Sequence, residues 1–167
     1  MELPLGAAQK TPGERLPFEV EGEFAAFEFS GDALAFDGPV KVRGFMTGIG
    51  EDITVEGQIE ALLLGSCARC LQTAKIALRI PFAEVFTRQP SEEHPDAFLF
   101  EGAKADIDEM VLANLFMNLP MQILCKGDCK GLCPVCGKDR NREPCDCDQM
   151  RADSPFAALR NLFKDEQ

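Results

Sequence analysis

Eight cysteines, which fall in four close pairs, are the residues of this sequence best suited to chemistry. Eight thiols match two tetrahedral sites, because structural Zn²⁺ often takes all four of its ligands from cysteine. In a Cys-x-x-Cys turn, two thiolates reach one ion while backbone N–H groups point toward the sulfurs. The sequence therefore predicts two zinc ions. The predicted ligands are Cys67 and Cys70, Cys125 and Cys129, Cys133 and Cys136, and Cys145 and Cys147.

Three arrangements of these cysteines around zinc are consistent with their spacing. Cys133, Cys136, Cys145 and Cys147 are close enough in sequence to form one compact site, which leaves the other four for a second, long-range site. We favour this partition because loop-closure entropy grows slowly with loop length. A rival partition joins the four cysteines at 125–136 and leaves Cys67 and Cys70 with the pair at 145–147. A third solution is one zinc in the tail, with Cys67 and Cys70 as free thiols.

Disulfide bonds and redox catalysis are less consistent than metal binding with the sequence around the cysteines. MELPLGAAQK has no basic region followed by an apolar run, which predicts a soluble cytoplasmic protein with reduced thiols rather than a disulfide framework. A redox thiolate usually sits at a helix N-terminus. CARC is followed by the strand-like LQTAKIALRI, and CPVC by the turn-rich GKDRN. An iron–sulfur cluster remains open, since four thiolates also hold such a cluster.

The net charge of the chain and its sequence motifs disfavour several classes of function. The net charge is −11, which disfavours broad nonspecific binding to a phosphate backbone and suits contact with other proteins. Basic residues around the tail cysteines screen thiolate charge or form a small patch for RNA or an acidic partner. The single histidine, His94, stands in a polar loop and is expected to be solvated. The sequence contains no motif of a hydrolase or nucleotide-binding enzyme, which predicts a protein without catalytic residues.

The elements that position the cysteines are mainly strands. In ITVEGQIEALLL and TAKIALRIPF, apolar residues alternate with polar ones, which is typical of half-buried antiparallel strands. An acidic loop at 88–105 includes a short strand at AFLF. ADIDEMVLANLFMNLPM predicts a helix that begins with a capping box of Asp106 and Glu109, packs an apolar face on the sheet and stops at Pro120.

These patterns predict an α+β fold with an antiparallel sheet or partly open barrel, one packed helix, and a cysteine-rich, zinc-stapled C-terminal segment. We expect a flexible arm at 1–14, a β-rich domain with its helix at 15–120, and a zinc-binding tail at 121–167. The tail ends in a short amphipathic helix, for which Ser154 is the N-cap and Phe156, Leu159, Leu162 and Phe163 form the apolar face.

The segment LPMQILCKGDCKGLCPVCG closely resembles the signature of the YceD family, the large ribosomal RNA subunit accumulation proteins. CARCL, DIDEMVLANLFMNLP, the CDC pair and SPFAALRNL are similar to that family in the same order, so the resemblance covers residues 15–163. It implies a cytoplasmic, bacterial-type protein that supports accumulation of large-subunit rRNA through ribosome assembly or precursor processing. It also implies no established enzymatic activity.

Two classes of function follow. The first is a ribosome-biogenesis factor with structural zinc that binds rRNA, a ribosomal protein or another assembly factor. The second is a thiol oxidoreductase or metal-delivery protein that uses exposed Cys-x-x-Cys pairs. Metal content and thiol reactivity distinguish them, because a structural site resists alkylation until it is chelated.

Overall fold

A computed structural model describes residues 1–89, 92 and 94–147, and the described part contains nine strands and two helices. The helices are α1 (Gly6–Lys10) and α2 (Asp108–Asn118). The strands are β1 (Glu2–Pro4), β2 (Arg15–Gly22), β3 (Phe27–Phe29), β4 (Asp32–Phe36), β5 (Val40–Ile49), β6 (Asp52–Ser66), β7 (Thr73–Thr87), β8 (Phe98–Leu99) and β9 (Lys104–Asp106).

The long antiparallel hairpin of β6 and β7 is the centre of the fold. Its register runs without a break from Ile53 opposite Phe86 to Ser66 opposite Thr73. The turn that closes this hairpin carries Cys67 and Cys70. The CARC segment is therefore the turn of a hairpin between two long strands.

The other strands extend this hairpin into an open sheet. The order is β2-β5-β6-β4-β3, with β7 on the opposite side of β6 and the short β8 parallel to the end of β7. The predicted α+β class with a mainly antiparallel, open sheet is confirmed. Within the described residues, β2 and most of β7 have one unpaired edge, and each contains a proline, Pro17 and Pro81. A residue without an N–H suits an edge strand and discourages pairing with another chain.

Side-chain alternation on β6 follows the sequence pattern. Ile53, Val55, Ile59, Ala61 and Leu63 are all buried. They contribute to two apolar clusters. The main core lies over the middle of the sheet and includes α2, whereas a smaller core lies at the turn end of the β6–β7 hairpin. The smaller core consists of Leu34, Leu63, Cys67, Cys70, Ala74, Leu119, Ile123 and Cys129.

The N-terminal residues differ from the expected loose arm. β1 pairs with β9, and Leu3, Leu5 and Ala8 are fully buried in the main core. The sequence pattern is too short and too rich in Gly and Pro to indicate this packing. The burial depends on β9, which lies about a hundred residues farther along the chain.

The helix α2 begins differently from the prediction. Ile107 is its N-cap residue and makes no side-chain capping bond, so the predicted capping box is wrong. Asp106 belongs instead to β9, and its carboxylate accepts a 3.0 Å hydrogen bond from the N–H of Asp108. The predicted apolar face consists of Ile107, Met110, Val111, Leu115 and Phe116. The first four are buried, whereas Phe116 is 40% exposed.

Three further predictions concern loops and ends. The short strand predicted at AFLF is present as β8. His94 is exposed in the loop that precedes it, as expected. The predicted terminal helix with Ser154, Phe156, Leu159, Leu162 and Phe163 lies outside the described residues. The division between a domain at 15–120 and a tail at 121–167 remains a prediction. Neither helix of the described part is long and apolar enough to cross a membrane.

Candidate metal centre

The eight cysteines form two groups of four. The sheet group consists of Cys67, Cys70, Cys125 and Cys129, and the tail group consists of Cys133, Cys136, Cys145 and Cys147. Within each group all sulfur atoms lie within 4.8 Å of one another. This is the grouping that the sequence favoured, and the rival grouping of the four cysteines at 125–136 does not occur. Two four-cysteine clusters of this kind could hold metal ions.

Sulfur–sulfur distances in the sheet group suit a tetrahedral ion. Four thiolates about 2.3 Å from a central Zn²⁺ lie about 3.8 Å from each other. The Sγ atoms of Cys67 and Cys129 are 3.8 Å apart, and those of Cys70 and Cys125 are 3.6 Å apart. These separations are far longer than the S–S bond of a disulfide, and all eight cysteines are free thiols. The donor set therefore fits a tetrahedral thiolate site.

The two Cys-x-x-Cys turns have the same backbone hydrogen bonds. In the first, the N–H of Leu71 donates to the carbonyl of Cys67 at 2.9 Å, and the N–H of Cys67 donates to the carbonyl of Gln72 at 2.8 Å. In the second, the corresponding bonds join Gly137 to Cys133 and Cys133 to Lys138, both at 2.8 Å. Each turn thus presents two cysteines of one group from a closed hairpin.

The chain after α2 brings the remaining ligands of the sheet group to this hairpin. The N–H of Ala68 donates to the carbonyl of Ile123 at 2.8 Å, and Ile123 is buried in the smaller core. Gly65 in β6 makes room for this contact, because a Cβ there would lie 3.0 Å from Cδ1 of Ile123 and 2.6 Å from Cδ2 of Leu34. The sheet group therefore joins the turn of the hairpin to the segment that follows the helix.

Burial differs between the two groups. Cys67, Cys70 and Cys129 are buried and only Cys125 of the sheet group is exposed. In the tail group only Cys133 is buried. Cys136 is exposed, and Cys145 and Cys147 are intermediate. The sheet group is thus part of an apolar core, whereas the tail group lies closer to solvent.

Each group contains one thiol whose pKa is strongly lowered. Burial raises the pKa of Cys67, but hydrogen bonds from the backbone N–H groups of Cys125, Arg69 and Cys70 outweigh it and bring the pKa to about 6. In the tail group, the N–H groups of Cys136 and Val135 lower the pKa of Cys133 to about 6. The first cysteine of each Cys-x-x-Cys turn therefore has a pKa below neutral.

Two of the other thiols, Cys125 and Cys147, resist ionisation next to these thiolates, whereas burial of Cys129 is outweighed by hydrogen bonds from Gly131 and Asn141, which lower its pKa. Burial of its sulfur, followed by contact with Cys70, Cys129 and Cys67, raises the pKa of Cys125 to about 12. Contact with Cys136, followed by burial, raises the pKa of Cys147 to about 12. Four thiolates this close repel one another, so a bound cation is what allows all four to lose their protons.

Basic side chains surround both groups but are mostly paired with carboxylates. Lys126 lies 3.9 Å from Asp128, Lys138 lies 3.5 Å from Glu143, and Nε of Arg142 lies 3.7 Å from Asp139. Most of these side chains are exposed, so each pair contributes little to stability.

Two residues near the sulfurs were not indicated by the sequence. The guanidinium of Arg69 donates to the carbonyl of Cys129 at 3.0 Å, and the amide of Asn141 donates to the Sγ of Cys129 at 3.4 Å. Arg69 lies inside the CARC turn, so its position next to two cysteines was a usable signal. Asn141 stands in a polar loop with no pattern that distinguishes it from its neighbours.

The chain matches one family model, described as "Large ribosomal RNA subunit accumulation protein YceD", over residues 55–163. The match covers more than half of the chain and includes all eight cysteines. No solved structure matches the chain.

Several proteins are similar to the chain in sequence. An uncharacterized protein of Mycobacterium tuberculosis is 28% identical over 102 residues, which cover 58% of this chain and 49% of the relative. The "Large ribosomal RNA subunit accumulation protein YCED homolog 1, chloroplastic" of Arabidopsis thaliana is 22% identical over 77% of this chain and 50% of its own. The uncharacterized protein YlbN of Bacillus subtilis is 27% identical, with 77% and 76% covered. The chain spans about half the length of the first two relatives.

Proposed function

We propose, since the chain belongs to the YceD family, that this protein is a non-enzymatic, zinc-binding factor that promotes accumulation of large-subunit ribosomal RNA. It acts in ribosome biogenesis by binding rRNA or an assembly partner. The observation that carries the zinc assignment is the division of eight free thiols into two groups of four, each within 4.8 Å. Zn²⁺ is the ion that structural thiolate sites of this kind usually hold.

Zinc in this proposal has a structural role. The segment 121–147 contains few buried apolar side chains, so hydrophobic burial alone does not offset the entropy lost on ordering it. Metal ligation supplies the difference, as in small zinc domains. The ions therefore hold the segment after α2 against the β6–β7 hairpin, and together these form the surface that a partner recognises.

Charge decides which part of this surface suits a ribosomal partner. The chain as a whole carries −11, yet the region around the thiols includes five Lys and Arg residues between positions 126 and 142, and Arg69 lies beside it. The proposed contact with rRNA or an rRNA-bound protein uses this region, because Lys and Arg side chains neutralise phosphate charge. These basic residues are Arg69, Lys126, Lys130, Lys138, Arg140 and Arg142.

Metal content and association with ribosomal material test the proposal separately. The purified protein should hold two zinc ions, and a Cys67→Ser/Cys70→Ser variant should hold one. Affinity capture from a bacterial lysate should recover large-subunit rRNA or its assembly proteins, and RNase treatment distinguishes a direct RNA contact from a protein contact. Cys133→Ser should weaken this recovery, whereas the matched control His94→Ala should not. Recovery of no ribosomal material would contradict the proposed function.

The second candidate is a thiol oxidoreductase or metal-delivery protein. The observation that favours it is the pKa of about 6 at Cys133, whose partner Cys136 is exposed. Against it, Cys133 is buried and neither Cys-x-x-Cys turn begins a helix in the described chain. Rapid alkylation of Cys136 in the zinc-loaded native protein, with turnover of a disulfide substrate, would support this candidate over the first.

A further inference from the structure

The side chain of Asn141 connects the two cysteine groups. Asn141 lies in the loop between Cys136 and Cys145, both of which belong to the tail group. Its Nδ2 nevertheless donates a 3.4 Å hydrogen bond to the Sγ of Cys129, which belongs to the sheet group. A residue that lies in sequence between two cysteines of the tail group therefore contacts a ligand atom of the sheet group.

Hydrogen bonds at both Oδ1 and Nδ2 fix the orientation of the Asn141 side-chain amide. Its Oδ1 accepts a 2.9 Å hydrogen bond from the N–H of Lys130, and its Nδ2 also donates to Oδ1 of Asp139 at 2.7 Å. The N–H of Asn141 donates to the same oxygen of Asp139 at 2.9 Å. With its oxygen held by Lys130, the amide can present only its donor end to the sulfur.

The loop that carries Asn141 is built on the chain between the two groups. Leu132 and Asp139 form a β-bridge, and the N–H of Arg140 donates to the carbonyl of Gly131 at 3.0 Å. On the other side, the N–H of Leu132 donates to the carbonyl of Arg69 at 2.9 Å. An ion at the tail group would close this loop and hold Asn141 in place.

We propose that Asn141 couples the two metal sites, so that an ion in the tail group raises the affinity of the sheet group for its own ion. This inference rests on the proposed zinc binding. A polar group that hydrogen-bonds a metal ligand typically changes metal affinity by about 10–100-fold. Without the tail ion, the loop between Cys136 and Cys145 loses its closure and the bond from Asn141 to Cys129 is no longer held.

Coupling of this kind is reciprocal. If the tail ion raises the affinity of the sheet group by some factor, the sheet ion must raise the affinity of the tail group by the same factor. Asn141 acts here as a positioning residue and is not itself a ligand. Removing its side chain should therefore leave both ligand sets complete and abolish only the link between them.

A double-mutant cycle with site-resolved detection tests this inference. Wild type, Asn141→Ala, Cys145→Ser/Cys147→Ser and the triple variant are equilibrated with buffered free Zn²⁺ and treated with an alkylating reagent. Mass spectrometry then measures the protected fraction of Cys125 and Cys129, which gives the zinc affinity of the sheet group alone. We expect a loss of about tenfold in Asn141→Ala and in the Cys145/Cys147 variant, and no further loss in the triple variant.

Controls separate coupling from general destabilisation. Asn118→Ala removes an exposed amide that donates to the carbonyl of Asn114 within α2, far from both cysteine groups in sequence, and should leave the affinity unchanged. Asn141→Asp keeps the size of the side chain but replaces the donor by an oxygen, so it should lose at least as much affinity as Asn141→Ala. Circular dichroism of each zinc-loaded variant checks that the sheet is folded.

The outcomes distinguish this inference from the proposed function. If the triple variant loses as much zinc affinity at the sheet group as the other two variants combined, the role of Asn141 is overturned. The coupling would then run through another contact, such as that of Leu132 with Arg69. Two ions bound with independent affinities would also overturn the inference while leaving the proposed zinc binding intact. A wild-type protein without zinc would overturn both.

Discussion

Leu71 and Gly137 occupy the same position in two turns with the same hydrogen bonds, and both have a left-handed backbone. Their φ angles are +59° and +73°, and each directly follows the second cysteine of a Cys-x-x-Cys pair. The left-handed conformation is unstrained for glycine, whereas it costs an L-residue such as leucine about 1–2 kcal/mol. The turn of the sheet group therefore carries strain that the turn of the tail group avoids.

Replacing Leu71 by glycine should stabilise the protein. The side chain is 69% exposed, so its loss removes little burial, and relief of backbone strain should raise the free energy of unfolding by up to about 1 kcal/mol. Leu71→Ala is the matched control, since it shortens the side chain but keeps the strain. Thermal unfolding of the zinc-loaded variants measures the difference, and a lower Tm for Leu71→Gly would mean that the leucine side chain makes a contact of its own.

Gly137→Ala should have the opposite effect. Apart from the adjacent residues, no described atom lies within 4 Å of a Cβ built at Gly137, so the substitution introduces backbone strain without a steric clash. We expect the free energy of unfolding to fall by about 1 kcal/mol, which the same thermal experiment would record. An unchanged Tm would show that this turn adjusts its backbone at no cost.

Removal of metal should lower the local stability of the segment 121–147 and of the CARC turn. Chelation is expected to speed hydrogen exchange in 121–147 and at the CARC turn, where ligation and the smaller core hold the chain together. The strands of the main core, including Val42 and Ile59, should keep their protection because their burial does not involve the cysteines. Exchange in 121–147 that stays the same after complete metal removal would contradict a structural role for zinc.

Zinc affinity should rise with pH. At neutral pH the metal-free protein has ionised Cys67 and Cys133, with pKa values of about 6, and protonated Cys125 and Cys147, with pKa values of about 12. Binding must release the protons of the latter two, so the affinity increases as protons become scarcer. Below about pH 6 the dependence should steepen, because Cys67 and Cys133 then bind protons as well. Competition with a chelator of known proton affinity at several pH values tests this, and a pH-independent affinity would exclude thiolate ligation.

The N-terminal segment should contribute substantially to stability. Leu3 is fully buried in the main core, so Leu3→Ala should lower the free energy of unfolding by about 2–5 kcal/mol. Glu2→Ala is the matched control, since the Glu2 side chain forms an exposed ion pair with Lys104, and it should change stability by less than about 1 kcal/mol. Denaturant unfolding compares the two, and similar values for both would show that residues 1–10 behave as the loose arm that the sequence suggested.

The sequence by itself determined the local patterns of this protein. Alternation in 53–63 fixed which side chains of β6 are buried, and the Cys-x-x-Cys spacing with Gly137 indicated the turn that presents two sulfurs. These features depend on residues that are close in the chain, and their spacing follows from strand and turn geometry alone.

Only the tertiary structure decided which cysteines meet and what lies beside them. Loop-closure entropy changes slowly with length, so the spacing permitted several partitions of the eight thiols. The sheet group forms because Ile123 packs over Gly65 and brings Cys125 and Cys129 to the hairpin turn. In the same way, Leu3 is buried only because β1 meets β9, and Asn141 reaches Cys129 only because the polar loop folds back along Gly131. Contacts between residues so far apart leave no periodic pattern in the sequence.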